Sequence, residues 1–169
     1  MTIEIRKSIL NDPQEVAAVS MIAWQQSYKD IIDENYLQNI SLEDRLLLRN
    51  KILQNNNPNQ IHLVAVHEGK IIGFCDAGPA MDIASDYCGE IYAIYLLQEF
   101  KRLGIGRQLL KEAHQHLVKY KLLPYVAWVL KDNKSACAFY QTHGGIVRTE
   151  KMSEIGDKNY TEVSYIFSK

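Results

Sequence analysis

The chain has 169 residues, with 19 Lys and Arg against 20 Asp and Glu and a formal net charge of −1 at pH 7. This length suits one domain over residues 1–169, and the balanced charge excludes a general attraction to nucleic acid or to an anionic membrane. Three cysteines without CxxC spacing argue against a disulfide framework and a zinc site, and the lack of a signal core or spanning segment predicts a soluble protein of the cytoplasm.

A strand signal and two helix signals open the chain. Polar and apolar residues alternate over 3–6, which predicts a short strand. Asp12 and Pro13 then mark the N-cap and first position of an amphipathic helix that ends near Tyr28. A second helix is predicted to begin at Ser41, which has the residue type and the spacing of an approximate capping box.

The middle of the chain has the pattern of three strands. The β-rich runs 61–67 and 70–78 flank Glu68 and Gly69, a pair that predicts a tight hairpin. A third run, 89–97, is apolar on both faces, as expected of a strand in the centre of a sheet.

The last third continues with helices and strands in turn. A helix is predicted after the sequence KRLGIGRQLL at 101–110, then a buried strand over 124–130, a short helix over 133–145 and a final hairpin around Gly156. The order β, α, α, β, β, β, α, β, α, β, β predicts about seven strands and about four helices.

Two glycines and three basic residues stand together where the third strand gives way to a helix. Gly104 and Gly106 precede or open that helix, and Lys101, Arg102 and Arg107 flank them. Glycines there let an anion approach the unpaired N–H groups of a helix N-terminus, so the turn could hold a diphosphate. The alternative is a tight structural turn whose basic side chains are only solvated.

The turn and its context resemble the GNAT superfamily of acetyl-CoA-dependent N-acetyltransferases. The signature R/Q-x-x-G-x-G/A is matched by Lys101, Gly104 and Gly106, with lysine in the first position. A second signature helix, N-x-x-A-x-x-F-Y followed by a glycine, is matched by Asn133, Ala136, Phe139, Tyr140 and Gly144. The likeness is specific from about residue 90 to residue 145.

The resemblance implies an α/β fold with a central mixed, largely antiparallel twisted sheet of about seven strands flanked by about four helices. It implies acetyl-CoA as co-substrate, with the 102–107 turn around the pyrophosphate and a segment of the central strand paired with the pantetheine arm. The implied cofactor-binding residues are Ile94, Tyr95, Leu96, Lys101, Arg102, Leu103, Gly104, Ile105, Gly106, Arg107, Asn133 and Tyr140.

The resemblance also suggests three groups for the chemistry. An alkylammonium has a pKa of ~10 and must lose a proton before it can attack. Glu90, fourteen residues before Gly104, stands where the histone-acetylating branch carries its base; the alternative is a strand-end carboxylate paired with a lysine. The backbone N–H of Leu96 is the expected oxyanion donor. Tyr140 has the family's general-acid position, or is an aromatic packing residue.

The acceptor is expected to be a small-molecule or peptide amine. The chain is expected to be a monomer or a homodimer, and no nucleic acid, membrane or metal partner is predicted. Trp24, Tyr28 and Glu90 are the predicted acceptor-binding residues. We expect a cationic amine, such as a polyamine or a peptide amino terminus, which packs on the aromatic side chains and is attracted by Asp30, Asp33 and Glu34. The alternative is that these three acids are only solvated charges at helix ends. The competing functions are a non-catalytic acyl-CoA-binding sensor on the same fold and, with less support, a nucleic-acid-binding domain.

Four further residues are given structural roles. His114 and His116 lie two apart on a helix, so they make a poor metal pair and are expected to be solvated. His143 is expected to act as a cation near a helix C-terminus, and Cys137 as a small core residue.

Overall fold

The structure is a computed structural model that describes residues 2–55, 57–82 and 86–169, and these residues form seven strands and five α-helices. The strands are β1 (Glu4–Lys7), β2 (Ile61–His67), β3 (Lys70–Pro79), β4 (Gly89–Leu96), β5 (Tyr125–Leu130), β6 (Ile146–Ile155) and β7 (Lys158–Phe167). The helices are α1 (Pro13–Ser27), α2 (Glu34–Gln38), α3 (Leu42–Gln54), α4 (Ile105–Lys119) and α5 (Lys134–Thr142), with a 3-10 turn at Gln98–Phe100.

All seven strands belong to one sheet in the order β1-β2-β3-β4-β5-β7-β6. Every neighbouring pair is antiparallel except β4 and β5, which run parallel. The predicted mixed, largely antiparallel sheet is therefore confirmed. β4 lies in its centre, which explains why the sequence of this strand is apolar on both faces.

The helices cover the two faces of the sheet. Leu109 and Leu117 of α4 pack in one core with Ile91 of β4, and Tyr140 of α5 belongs to the same core. On the other face, α1 packs through a second core that includes Phe74 of β3. Because side chains alternate along a strand, neighbouring residues of β4 face different helices.

The helix ends show which local signals were sufficient. Asp44 N donates to Ser41 Oγ at 3.0 Å, so the predicted start of α3 is confirmed. α1 begins at Pro13, but the Asp12 side chain does not cap it. Asp12 therefore has the predicted N-cap position, but its carboxylate forms an ion pair with Arg6 at 2.7 Å instead of capping the helix.

The short helix α2 was not predicted. It begins after Asp33, whose side chain accepts a hydrogen bond from Tyr36 N at 3.2 Å. Five residues are too few to show a helical period, so only this capping residue could have signalled the helix.

A buried polar network joins α3 to the sheet. The Asp76 carboxylate on β3 contacts Arg49 Nη1 at 2.5 Å and His62 Nδ1 at 2.8 Å. The Arg49 guanidinium also lies 4.2 Å from the ring centroid of Phe74. Each charge in this apolar layer therefore has a partner, as burial requires.

The histidines of α4 are not the solvated residues that we expected. His116 is buried, its ring centroid lies 4.5 Å from that of Tyr120, and burial lowers its pKa. His114 Nδ1 lies 3.3 Å from the hydroxyl of Tyr125. The prediction was wrong because His116 follows the buried Ala113 by three residues and so shares its helix face.

The remaining structural expectations concern His143 and the cysteines. His143 is the C-cap residue of α5, and its Nδ1 lies 2.7 Å from the Phe139 carbonyl oxygen. Cys75, Cys88 and Cys137 are all free. None of the helices within the described ranges is long and apolar enough to cross a bilayer.

Candidate active site

β4 and β5 diverge in the middle of the sheet. Their parallel pairing runs from Gly89 opposite Tyr125 to Ile91 opposite Ala127 and then stops, although both strands continue. A bulge in β4 shifts its register with β3 at this point, so that Tyr92 has no opposite residue on β3. The bend leaves a gap between the two strands beyond Ile91.

The backbone of β4 is directed into this gap at alternate residues. Leu97 N donates to Ile72 O of β3 at 3.0 Å. In an antiparallel pair the N–H and C=O groups of successive residues point to opposite edges, so those of Leu96 and Ile94 point away from β3. This is the edge at which an extended ligand can pair as an additional strand.

The turn before α4 exposes the N-terminus of the helix. Gly104 is the N-cap residue with φ +80°, and no side chain caps the helix. The first helical bond is that from Gln108 N to Gly104 O at 3.1 Å. The N–H groups of Ile105, Gly106 and Arg107 have no acceptor among the residues that the structure describes. Such groups, together with the helix dipole, form a binding site for an anion.

The two glycines of the turn have different surroundings. A Cβ built on Gly104 would meet no heavy atom of the described chain within 4 Å, so this position is open. A Cβ on Gly106 would lie 3.3 Å from Phe139 Cε2 and 3.5 Å from Leu96 Cδ1. Gly106 thus allows α4 to pack closely against α5 and β4, and it brings the two sequence signatures into contact.

The three basic residues of the turn differ in their exposure. Arg102 and Arg107 are exposed, whereas Lys101 is partly buried and donates from Nζ to Ser27 Oγ of α1 at 3.1 Å. Burial lowers the pKa of Lys101. Leu103 is exposed and Ile105 is buried in the core. Two cations therefore remain beside the open helix N-terminus.

Tyr140 and Asn133 lie on the face of the sheet that α4 and α5 cover. The Tyr140 ring is buried, with its centroid 5.9 Å from that of Tyr165, and burial raises its pKa well above the usual value. The phenol therefore keeps its proton at neutral pH. Asn133 Oδ1 accepts a hydrogen bond from Ala136 N at 3.1 Å, so this side chain caps α5.

Glu90 lies on the opposite face. It precedes Ile91, which packs in the core under α4, so its side chain turns towards the side of α1. Its Oε2 accepts a hydrogen bond from Met81 N at 2.9 Å, and no described lysine is within ion-pair distance. Burial is the main cause that raises the pKa of Glu90. The arrangement can therefore take up a proton on one face and donate one, from Tyr140, on the other.

Aromatic side chains from α1 extend this second face. The Trp24 and Tyr28 ring centroids are 4.9 Å apart, and the hydroxyls of Tyr28 and Tyr95 lie 2.8 Å from each other. Burial raises the pKa of both tyrosines. Tyr95 thus directs its side chain to α1, and its backbone N–H and C=O groups point to β3 and not into the gap.

One of the expected acids near α2, Asp33, is held in an ion pair. Lys158 Nζ lies 2.5 Å from Asp33 Oδ2, and this contact lowers the pKa of Asp33. Asp33 therefore already has a cationic partner within the protein, and its attraction of an acceptor amine stays a prediction. Glu162 on β7 is the acid that the sequence did not indicate, and its charge contributes to the raised pKa of both Glu90 and Tyr28.

A cavity of about 270 Å³ lies elsewhere, between the end of α3 and the start of β2, and is lined by residues that include Gln60 and His62. Neither Glu90 nor Tyr140 lines it, so we do not assign the chemistry to it. Within the described part of the chain, no group of three or more His, Cys, Asp or Glu side chains is arranged to hold a metal ion.

Comparison with known proteins agrees with this geometry. Residues 18–144 match the model of the "Acetyltransferase (GNAT) family". The uncharacterized N-acetyltransferase YuaI of Bacillus subtilis (strain 168) is 29% identical over 164 residues, which are 95% of this chain and 90% of that protein. A spermidine N(1)-acetyltransferase of Thermoplasma acidophilum is 27% identical over 164 residues, covering 95% of this chain and 99% of the relative.

A solved structure shares the fold. The crystal structure of the PaiA N-acetyltransferase from Thermoplasma acidophilum, in complex with coenzyme A, has a TM-score of 0.74 and 25% identity, covering 96% of this chain and 98% of that one. The family match over residues 18–144 includes the diverging strands, the open helix N-terminus and the two signature helices. This chain therefore belongs to the GNAT family of acetyltransferases.

Proposed function

We propose that this acetyltransferase transfers the acetyl group of acetyl-CoA directly to a primary amine in a ternary complex. The observation that carries the proposal is the gap between β4 and β5, which has a carboxylate with a raised pKa on one face and a buried phenol on the other. The amine and the thioester can then react between a carboxylate that accepts a proton and a phenol that donates one.

The cofactor is held by backbone groups and two cations. The free N–H groups at the start of α4, with Arg102 and Arg107, bind the diphosphate. Ile94 and Leu96 present their N–H and C=O groups to the amides of the pantetheine arm. The amide nitrogen of Asn133 remains available to the same arm, since its oxygen caps α5. Bound acetyl-CoA supplies the activated thioester carbonyl.

Proton transfer is assigned to Glu90 and Tyr140. Glu90 accepts a proton from the acceptor ammonium, directly or through water, because its raised pKa brings it closer to that of the amine. The Leu96 N–H donates to the oxygen that becomes negative during attack, an interaction worth about a hundredfold in rate. Tyr140 donates a proton to the departing thiolate.

We propose a cationic amine as acceptor, either a polyamine, a peptide amino terminus or another small amine. Trp24 and Tyr28 provide aromatic surface, and Glu90 and Glu162 provide negative charge on the same face. A relative of almost equal length is named for acetylation of spermidine, which supports this class of acceptor.

The test is a panel of amines assayed by release of coenzyme A thiol. Polyamines and peptides are expected to be acetylated, and acidic or uncharged-ring amines to react much more slowly. Single-turnover rates separate the chemistry from product release. If coenzyme A binds but no amine releases thiol, the proposal is wrong and an acyl-CoA-binding sensor replaces it.

A further inference from the structure

An ammonium group of the protein itself lies beside the candidate active site. Lys151 extends from β6 across the sheet, and its Nζ lies 4.0 Å from the ring centroid of Trp128 on β5. The same Nζ is 3.6 Å from Glu162 Oε2 on β7. An aromatic face and a carboxylate are the two components that proteins use to bind alkylammonium groups.

The components of this site share one face of the sheet. Lys151 and Glu162 are directly opposite in the β6–β7 pairing, and Glu162 is also opposite Leu130. Trp128 lies two residues before Leu130 and therefore on the same face. Leu130 packs against the helices at the N-terminal end of the chain, so this is the face of α1 and α2.

The site adjoins the proposed base. Glu90 is opposite Val126, two residues before Trp128, so the carboxylate and the indole lie on the same face of neighbouring strands. Lys151 lowers the pKa of Glu90 and Glu162 raises it, which agrees with their closeness. An acceptor with one amine at Glu90 can therefore reach this site with a second.

Lys151 is held loosely and Glu162 firmly. The Lys151 side chain is 46% exposed, whereas that of Glu162 is 20% exposed and also accepts a hydrogen bond from the Ser153 hydroxyl. The carboxylate therefore stays in position when the lysine leaves. A flexible surface lysine loses little when it is released to water, because exposed ion pairs contribute little.

We infer that Trp128 and Glu162 bind a second ammonium group of the acceptor, and that Lys151 occupies this subsite until the acceptor displaces it. The inference rests on the proposed function and narrows it from primary amines in general to diamines and polyamines. Lys151 then acts as an internal competitor, and Glu162 determines specificity without taking part in proton transfer.

The experiment compares two acceptors that differ only in the second amine, 1,4-diaminobutane and 1-aminobutane. Glu162→Gln is expected to lower the ratio of kcat/KM for the diamine to kcat/KM for the monoamine about tenfold, because one charge-assisted contact is lost with the diamine alone. Lys151→Met is expected to lower the KM of the diamine several-fold, since the competitor is gone.

The matched controls are Glu150→Gln and Lys131→Met, which change the same charges in the neighbouring exposed pair, whose atoms are 2.6 Å apart. If Glu162→Gln and Lys151→Met behave like these controls while the wild type acetylates amines, the inference is wrong and the proposed function stands. Thermal unfolding checks each variant, and Lys151→Met decides alone if Glu162→Gln is unfolded.

A binding measurement separates the inference from the proposed function. Calorimetry with 1,4-diaminobutane is performed on the protein saturated with coenzyme A, without acetyl transfer. If 1,4-diaminobutane binds to the wild type and Glu162→Gln weakens this binding about tenfold, the subsite is supported even if no thiol is ever released. Absence of diamine binding to the wild type overturns the inference.

Discussion

Replacing Gly104 by alanine adds a single carbon atom, Cβ, and tests whether the turn before α4 binds the diphosphate. The residue has φ +80°, where an L side chain costs about 1–2 kcal/mol of folding free energy. The added Cβ would meet no described heavy atom within 4 Å, so the free protein loses nothing more. In the proposed complex, the same methyl group would compete with the diphosphate for the open space at this turn.

The expected loss of coenzyme A affinity follows from those contacts. A hydrogen bond to a charged group contributes about 1.5–3 kcal/mol, so displacement of one diphosphate contact weakens binding about 10- to 100-fold. Gly69→Ala is the matched control, because Gly69 has φ +77° in the β2–β3 hairpin and is equally open within the described structure. Both variants should lose similar stability, but Gly69→Ala should bind coenzyme A normally.

Calorimetry with coenzyme A and turnover with acetyl-pantetheine form the assay. Acetyl-pantetheine lacks the diphosphate, so Gly104→Ala should use it as well as Gly69→Ala does. Equal coenzyme A affinity of the two variants would refute the assignment of this turn to the diphosphate. So would a Gly104→Ala variant that loses as much turnover with acetyl-pantetheine as it loses with acetyl-CoA.

Four further substitutions test the site and the fold. Glu90→Gln should reduce single-turnover rates at neutral pH and recover as alkaline pH deprotonates the free amine; a constant deficit at all pH values argues against a base. Burial raises the pKa of Glu90 in the folded protein. The stability that this carboxyl group contributes is therefore present below its unfolded pKa and is lost as the pH rises through its folded pKa. Glu90→Gln should consequently have a higher melting temperature than the wild type at neutral pH but not in acid. Tyr140→Phe should keep its loss of rate at alkaline pH while coenzyme A affinity changes less than about twofold, and a rate profile parallel to the wild type would remove the phenol from the mechanism. Asn133→Ala should lower the urea-unfolding free energy by about 1 kcal/mol through loss of the α5 cap, and an unchanged midpoint contradicts the cap. Arg49→Met leaves the Asp76 carboxylate buried without its guanidinium partner and should lower the free energy of unfolding by about 3–5 kcal/mol in the same assay, whereas an unchanged midpoint would contradict this role of the ion pair.

Local chemistry made most of the fold predictable. Glu68 and Gly69 both adopt positive φ, +49° and +77°, which a tight hairpin of this type requires and which this pair signals. Ser41 caps α3 as its spacing indicated. Each of these features depends on residues that are close in sequence, so the pattern alone was sufficient.

The sequence also indicated the cofactor side of the candidate site, because its two signatures are local. The Gly104 turn is a property of a few consecutive residues, and its open helix N-terminus follows from the backbone. The sequence pattern could not indicate that Lys101 donates a hydrogen bond to Ser27, since this contact joins residues far apart in the chain.

The proposed acceptor side depends on the tertiary structure. Asp33 looked available in the sequence, but the β6–β7 hairpin brings Lys158 to it. Glu162 and Lys151 looked like ordinary surface charges, yet strand register sets them opposite each other and beside Trp128. A pattern along the chain specifies which residues alternate to one face of a strand, but only the order and register of the strands specify which charges meet there.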